Sequence, residues 1–287
     1  MLIQWYPGHM AKARRMLTEN LKLIDVVVEI VDARAPLSTR NPDFDELFMG
    51  KDRIIILNKS DLASPQATSA WINHFRCQGI LAAEFVATVS SKRKAACELI
   101  AKAAEEKVNR LKQKGVIKTV RTMIVGIPNV GKSTFINCVA GSGRTIVGDK
   151  PGVTKGKQWV KITPYLELMD TPGLLWPKLE NEDYAKNLAF IGSIKDDILD
   201  IEQLSESLLR RLAELCPNEL SARYKGIDLA AEALLPEVAK ARGFRLSKDE
   251  YDIERACRIV LDEFRGGKIA KISLETPVQL LETQNAD

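Results

Sequence analysis

Thr119-Val120-Arg121-Thr122-Met123-Ile124-Val125 runs straight into Gly126-Ile127-Pro128-Asn129-Val130-Gly131-Lys132-Ser133, and this stretch decides the fold. The first seven residues predict a strand, Gly126 to Gly131 a tight loop, and Lys132 to Ala140 a helix, the context that a phosphate-cradling G-x-x-x-x-G-K-S motif requires. Gly126 and Gly131 let the backbone wrap an anion, so that successive N–H groups and the positive end of the helix face it. Lys132 is then the candidate for the β- and γ-phosphates and Ser133 offers its hydroxyl to Mg²⁺, with Asn129, Val130, Gly131 and Thr134 completing the phosphate-binding set.

Two downstream segments suit the same chemistry. Leu166-Glu167-Leu168-Met169 predicts a strand ending on Asp170-Thr171-Pro172-Gly173, roughly forty residues after the loop, where a carboxylate of the Mg²⁺ shell belongs. The Gly173 amide is then the candidate sensor of the γ-phosphate. Between loop and acid lies Pro151-Gly152-Val153-Thr154, and Thr154 is the candidate that adds a second hydroxyl to the metal. A Pro-Gly turn alone is common, so the position of Thr154 carries that reading.

Upstream, the apolar run Arg53-Ile54-Ile55-Ile56-Leu57 predicts a strand buried on both faces, and it delivers Asn58-Lys59-Ser60-Asp61 at its end. Asp61 can accept from guanine N1–H and the exocyclic amine together, a charge-assisted pair that adenine cannot match. Asn58 holds the loop and the base edge, and the Lys59 stem covers the base face. Such a site leaves its own polar groups unpaired against the wrong base, so GTP is expected over ATP. The base-reading segment precedes the phosphate loop, the reverse of the usual order, which implies a GTP-binding domain that has been cut and rejoined.

The order of base-reading motif, phosphate loop and Asp-Thr-Pro-Gly resembles the circularly permuted GTPases. The opening Trp5-Tyr6-Pro7-Gly8-His9-Met10 and the closing Arg265-Gly266-Gly267-Lys268 with Leu274-Glu275-Thr276-Pro277 are similar to the bacterial RbgA (YlqF) ribosome-assembly GTPases in particular. The resemblance covers nearly the whole chain. It implies GTP hydrolysis, binding of GTP and GDP, and a large ribosomal subunit precursor with its rRNA as partner. Ser90-Ser91-Lys92 falls where the family's second base-contacting loop lies, which makes Ser90 and Ser91 candidate GTP contacts through a loose match.

Alternating strand and helix signals predict an α/β fold: a mostly parallel sheet with helices on both faces. Strands are expected near Asp25–Asp32, Arg53–Leu57, Ala83–Val89, Thr119–Val125, Trp159–Ile162 and Leu166–Met169, with helices over Ser64–Cys77 and Lys92–Lys114. After Leu175 the strand signals stop. Leu204, Leu208, Leu212 and Leu215 share one helical face, as do Tyr251, Ala256, Ile259 and Val260 on a later helix. The expected division is a circularly permuted P-loop GTPase domain over 1–177 and a small all-helical, RNA-binding C-terminal domain over 178–287.

Catalysis needs a group that orients the attacking water, commonly a Gln just after Asp-x-x-Gly. Here that position is Leu174, which cannot do so. The permutation makes the Asp25–Asp32 strand the one that would have followed the switch, so the segment before it is expected near the γ-phosphate. His9 is therefore the internal catalytic candidate alongside Lys132, Thr154 and Gly173, with packing beside Trp5 and Tyr6 as the other reading. His74 reads as an ordinary helix residue. Asn129 resembles the residue that holds K⁺ beside the phosphates in cation-dependent relatives, the other reading being that it only shapes the turn.

Composition narrows the class. The chain has 287 residues, a net charge of +4 and 45% hydrophobic residues, which suits two globular domains and excludes a disordered chain. No apolar run of eighteen residues occurs, so no membrane span is expected. The five cysteines have no paired or metal-ligating spacing, which fits a reducing cytoplasm. The first eighteen residues lack acids and contain Lys12, Arg14 and Arg15, yet Pro7-Gly8 interrupts them, and they read as part of the mature protein rather than a transit peptide. Lys92–Arg121 carries ten Lys and Arg against three acids, and Lys240–Lys271 nine against six. Two basic surfaces beside a GTP site suit an RNA partner recognised by shape and backbone. A monomer is expected. A non-catalytic GTP-binding scaffold remains the alternative, and a tRNA-modification GTPase would want cofactor residues that do not stand out.

Overall fold

The computed structural model describes residues 8–115, 118–141, 145–147, 159–174, 181–247 and 250–277, with backbone only at 8–13 and 145–147. Helix α1 (Gly8–Asn20) leads to strand β1 (Val26–Asp32), the short helix α2 (Asp43–Leu47), β2 (Asp52–Asn58), α3 (Pro65–Cys77) and β3 (Leu81–Glu84). Helices α4 (Arg93–Ala103) and α5 (Glu105–Gln113), strand β4 (Val120–Val125), helix α6 (Lys132–Ala140) and strands β5 (Thr145–Val147), β6 (Trp159–Thr163) and β7 (Leu166–Asp170) follow. These strands form one sheet in the order β3-β2-β1-β4-β7-β6-β5. The five strands from β3 to β7 are parallel, while β6 and β5 add an antiparallel edge.

The apolar run of β2 is buried on both faces because alternate side chains meet different helices. Ile54 and Ile56 join the large core that contains Ala96 and Ile100 of α4 and Phe135 and Val139 of α6. Ile55 and Leu57 point the other way, into a cluster with Trp71 and Phe75 of α3. The α3 helix starts where Ser64 accepts the Ala67 amide and Pro65 occupies the first helical position, where its missing N–H costs nothing. Strand order reverses between β1 and β4, and in parallel sheets a crevice for ligands opens at the carboxyl ends of such strands. Asp32 and Gly126 stand at those ends.

The third strand departs from its expected span: it covers Leu81–Glu84, and residues 85–89 leave the sheet to follow the Asn58 turn. There Ala87 N–H donates to Asn58 Oδ1 at 3.1 Å. The helix expected over 92–114 is broken at Ala104, whose amide is shared between the carbonyls of Ile100 and Ala101 at 3.2 Å each, a tightening that turns the chain and buries Ala104. Strand β5 carries no signal that the sequence reading caught.

After 181 the described residues are helical apart from one isolated bridge, Arg245 with Tyr251. Helices α7 (Glu182–Phe190), α8 (Ile201–Leu215), α9 (Pro217–Arg223), α10 (Leu234–Arg242) and α11 (Ile253–Arg265) share a core in which Leu208 and Leu212 meet Val238, Val260 and Phe264. Leu215 differs from expectation: it ends α8 and is 37% exposed. Glu263 is buried among Arg223, Arg242 and Tyr224, accepting from Arg223 Nε and from the Tyr224 hydroxyl at 2.9 Å each. Beyond α11 the chain returns along the sheet: Ile272 N–H donates to the Leu62 carbonyl at 3.2 Å and Leu274 N–H to that of Arg34 at 2.7 Å.

Candidate functional site

The loop between β4 and α6 has the backbone its glycines imply. Gly126 has φ +146°, and a Cβ there would lie 2.5 Å from the Ile30 carbonyl oxygen. Gly131 has φ +96°, and a Cβ there would collide with the Asn58 amide nitrogen. Both positions thus demand glycine for conformation and for close approach. Asn129 also takes a left-handed φ of +63°, which Asn tolerates better than most residues.

Lys132 opens α6 with its side chain buried, and its Nζ donates to the Ile127 carbonyl at 2.7 Å, folding the ammonium back over the loop. Burial pulls its pKa down to about 8, against the opposing pull of Asp170. Asp170, at the end of β7, has its carboxyl raised by burial, with the Lys132 charge acting the other way. Gly173 packs against both elements: a Cβ there would stand 2.8 Å from Pro128 N and 3.0 Å from Lys132 Nζ. Leu174 is buried, its N–H donating to the Gly126 carbonyl at 3.2 Å and its carbonyl accepting from Asn41 Nδ2 at 3.1 Å. Ser133 and Thr134 are exposed in the first turn of α6, where free amides and the helix dipole favour an anion. Ser133 and Asp170 are hard oxygen donors of the kind Mg²⁺ takes one or two of, alongside water and substrate phosphates. This donor set fits the ion, although among the described residues no group of three or more His, Cys, Asp or Glu is placed to hold a metal.

Asn58-Lys59-Ser60-Asp61 lies against that loop. Asn58 Nδ2 donates to the Val130 carbonyl at 2.8 Å, while its Oδ1 holds Ala87 N–H, so one side chain ties three segments together. Lys59 adopts φ +59° and reaches the Asn129 carbonyl with Nζ at 2.9 Å. Asp61 is exposed in the 3₁₀ turn Ser60–Leu62. Ser90 and Ser91 are exposed in a second 3₁₀ turn, Ser90–Lys92, which is tethered to α6 because Arg93 Nε donates to the Val139 carbonyl at 2.7 Å. The structure thus gathers Asn58, Lys59, Asn129, Val130, Gly131, Lys132, Asp170 and Gly173 at the carboxyl ends of β1, β2, β4 and β7. Thr154 lies outside the described residues. His9 is in the first turn of α1 with its side chain outside them.

Several residues of the site escaped sequence reasoning. Asp32 ends β1 fully buried, bound by Arg34 through Nε at 2.9 Å and Nη2 at 2.8 Å, and by Lys59 Nζ at 3.0 Å. Burial alone raises its carboxyl, but the two cations outweigh that and hold it far below the usual carboxylate range. An acid closing an apolar strand, as Asp170 closes β7, is the signal that could have found it. Glu275 is buried where it accepts the Leu37 amide at 2.7 Å and the Asn187 side-chain amide at 3.1 Å, joining the segment after β1 to α7. Asn129 Nδ2 donates to the Gly192 carbonyl at 2.7 Å, a direct link between the loop and the helical part.

Known proteins share this architecture. Residues 121–221 match a family model described as 50S ribosome-binding GTPase. Ribosome biogenesis GTPase A of Bacillus cereus is 43% identical, the alignment covering 98% of this chain and 96% of that protein. The protein of that name from Thermotoga maritima is 33% identical, covering 98% of this chain and 97% of its own. Among solved structures, GNP-bound YlqF from T. maritima superposes with a TM-score of 0.66 at 29% identity, covering 93% of this chain and 98% of that one, and a GDP-bound YlqF gives the same score. By its permuted loop order, its sheet and these likenesses along nearly its full length, the chain belongs to the ribosome biogenesis GTPase A (RbgA/YlqF) family of circularly permuted P-loop GTPases.

Proposed function

We propose that the chain is a GTP-hydrolysing assembly factor that docks on the large ribosomal subunit precursor in its GTP state and leaves after hydrolysis. The observation that carries this reading is the pair of bonds from Asn58 and Lys59 to the carbonyls of Val130 and Asn129, which joins two motifs distant in sequence into one nucleotide crevice. In it the amides of Asn129, Val130, Gly131 and Thr134 cradle the phosphates, and Lys132 meets the β- and γ-phosphates. Asp61 reads guanine, Lys59 covers its face, and Ser90 and Ser91 line the far edge. Ser133, Thr154 and Asp170 hold Mg²⁺, which supplies charge neutralisation on the transferring phosphoryl group.

With its Nδ2 engaged by Gly192, Asn129 keeps Oδ1, the atom that a monovalent cation such as K⁺ would take. His9 is the candidate to orient water, because Leu174 is apolar and buried. Two contacts support its proximity: Arg14 of the same helix stands 3.9 Å from Asp43, and Asn41 beside it holds the Leu174 carbonyl. The two stretches in which Lys and Arg outnumber acids, Lys92–Arg121 with α4 and α5 and Lys240–Lys271 with α11, supply the positive charge that would meet rRNA phosphates.

Co-sedimentation with isolated large subunits tests this reading. Binding with a non-hydrolysable GTP analogue and release with GDP is the expected outcome. Equal recovery in both nucleotide states would refute a switch.

A further inference from the structure

The base-reading loop is held from behind by a buried charge pair, Asp32 with Arg34. Lys59 sits in the left-handed region, an uncommon conformation for a side chain of its size. Its ammonium is fixed at two points, the Asn129 carbonyl at 2.9 Å and Asp32 Oδ2 at 3.0 Å. Asp32 is immobile in turn: it is fully buried, and Arg34 grips both its oxygens through Nε and Nη2. A guanidinium fork on a carboxylate fixes direction as well as distance.

Arg34 is anchored by the helical part. Its Nη1 donates to the Arg265 carbonyl at the end of α11 at 3.2 Å, its guanidinium lies 5.4 Å from the Phe264 ring centroid, and its own carbonyl accepts Leu274 N–H at 2.7 Å. The turn that carries Asp61 is bounded on the same side, since Ile272 N–H holds the Leu62 carbonyl and a Cβ on Gly267 would stand 2.7 Å from Leu62. The loop that reads the base therefore rests on the C-terminal end of α11.

We infer that Asp32 and Arg34 are positioning residues for guanine recognition, holding Lys59, and through it the Asp61 turn, in register with the phosphate loop. The inference rests on the reading that Asn58–Asp61 contacts the base. Breaking the pair lets the Lys59 backbone relax out of its left-handed turn, which shifts the Asp61 carboxylate away from the guanine amine while the glycine loop keeps its grip on phosphate.

The test compares GDP with IDP, which lacks the exocyclic amine, by titration calorimetry on the full chain. A merely structural defect lowers the folded fraction and weakens both ligands by one common factor, so the GDP-to-IDP affinity ratio isolates base reading. Asp32→Asn is expected to lower that ratio about 10-fold, the share of one charge-assisted hydrogen bond. Because Asp32→Asn leaves Arg34 buried and unpaired, the joint variant Asp32→Leu with Arg34→Met removes the pair without stranding a charge, and the same loss is expected from it. Adding Lys59→Met to either is expected to change the ratio no further, since all act through one ammonium. An unchanged ratio in the folded joint variant, or an additive effect of Lys59→Met, overturns the inference. Asp61→Asn is the control: if it too leaves the ratio unchanged, the base-reading assignment itself fails, and if it alone shifts the ratio, only the role of Asp32 and Arg34 does.

Discussion

Asn58 Nδ2 donates to the carbonyl of Val130 at 2.8 Å across 72 positions of sequence. The bond is why permutation leaves the site intact: β2 and β4 flank β1 in the sheet, so their carboxyl ends meet whatever order the chain visits them in. Permutation instead changes what the switch residue leads to. Gly173 and Leu174 precede the helical part in sequence, and Glu275 and Asn129 add side-chain links between the two parts.

Asp61→Asn is expected to shift preference from guanine toward xanthine nucleotides, because the amide can donate to the carbonyl that replaces the guanine amine. Competition between GDP and XDP measures it. Unchanged GDP affinity would remove Asp61 as the base reader.

Lys132→Ala is expected to abolish tight nucleotide binding, read by titration with a fluorescent GTP analogue. In the parent chain the pKa of about 8 adds a pH signature. Phosphate stabilises the charged ammonium, so the bound pKa lies above the free one, and affinity should be level below pH 8 and fall as pH rises past it, by up to about tenfold per unit. A flat profile through pH 9 would contradict the role of Lys132.

Glu263→Gln is expected to destabilise the chain by about 3 kcal/mol at pH 7 by leaving Arg223 and Arg242 without their buried anion. Burial raises the Glu263 carboxyl, but Arg223, Tyr224 and Arg242 outweigh that and depress it below its ordinary value. Its contribution is therefore complete above the unfolded carboxylate pKa and lost as pH falls through the folded one. Thermal unfolding of both proteins should show a gap that holds from pH 7 down to about 4.5, the ordinary carboxylate value, and narrows only below it. A gap independent of pH would show that charge is not its source.

His9→Ala is expected to keep GTP binding and lose about 10²–10⁴-fold of the turnover stimulated by ribosomal particles, with little change in the basal rate. Single-turnover assays beside a thermal melt separate this from a packing defect. Full stimulated turnover in the variant would make His9 structural.

The phosphate loop was legible because its glycines answer local steric demands, at Gly126 against Ile30 and at Gly131 against Asn58, that leave a fixed spacing in the sequence. Strands β1 and β2 were legible because burial on both faces writes a run that is apolar throughout in Ile54–Leu57 and broken only by Glu29 in Val26–Val31. Asp32 and Glu275 were not, since each takes its role from a partner on another segment: Asp32 holds Lys59 of the turn after β2, and Glu275 meets Leu37 across 238 positions. The break at Ala104 was hidden for a related reason, as an alanine is a good helix former and only its burial against the core turns the chain.

Single-turnover hydrolysis with and without isolated large ribosomal subunits asks whether this crevice hydrolyses GTP under the control of the particle it docks on. The expected result is slow hydrolysis by the chain alone and a marked acceleration on adding subunits, abolished by Lys132→Ala. Tight GTP binding with no hydrolysis in either condition would contradict the account and leave a GTP-binding scaffold in its place.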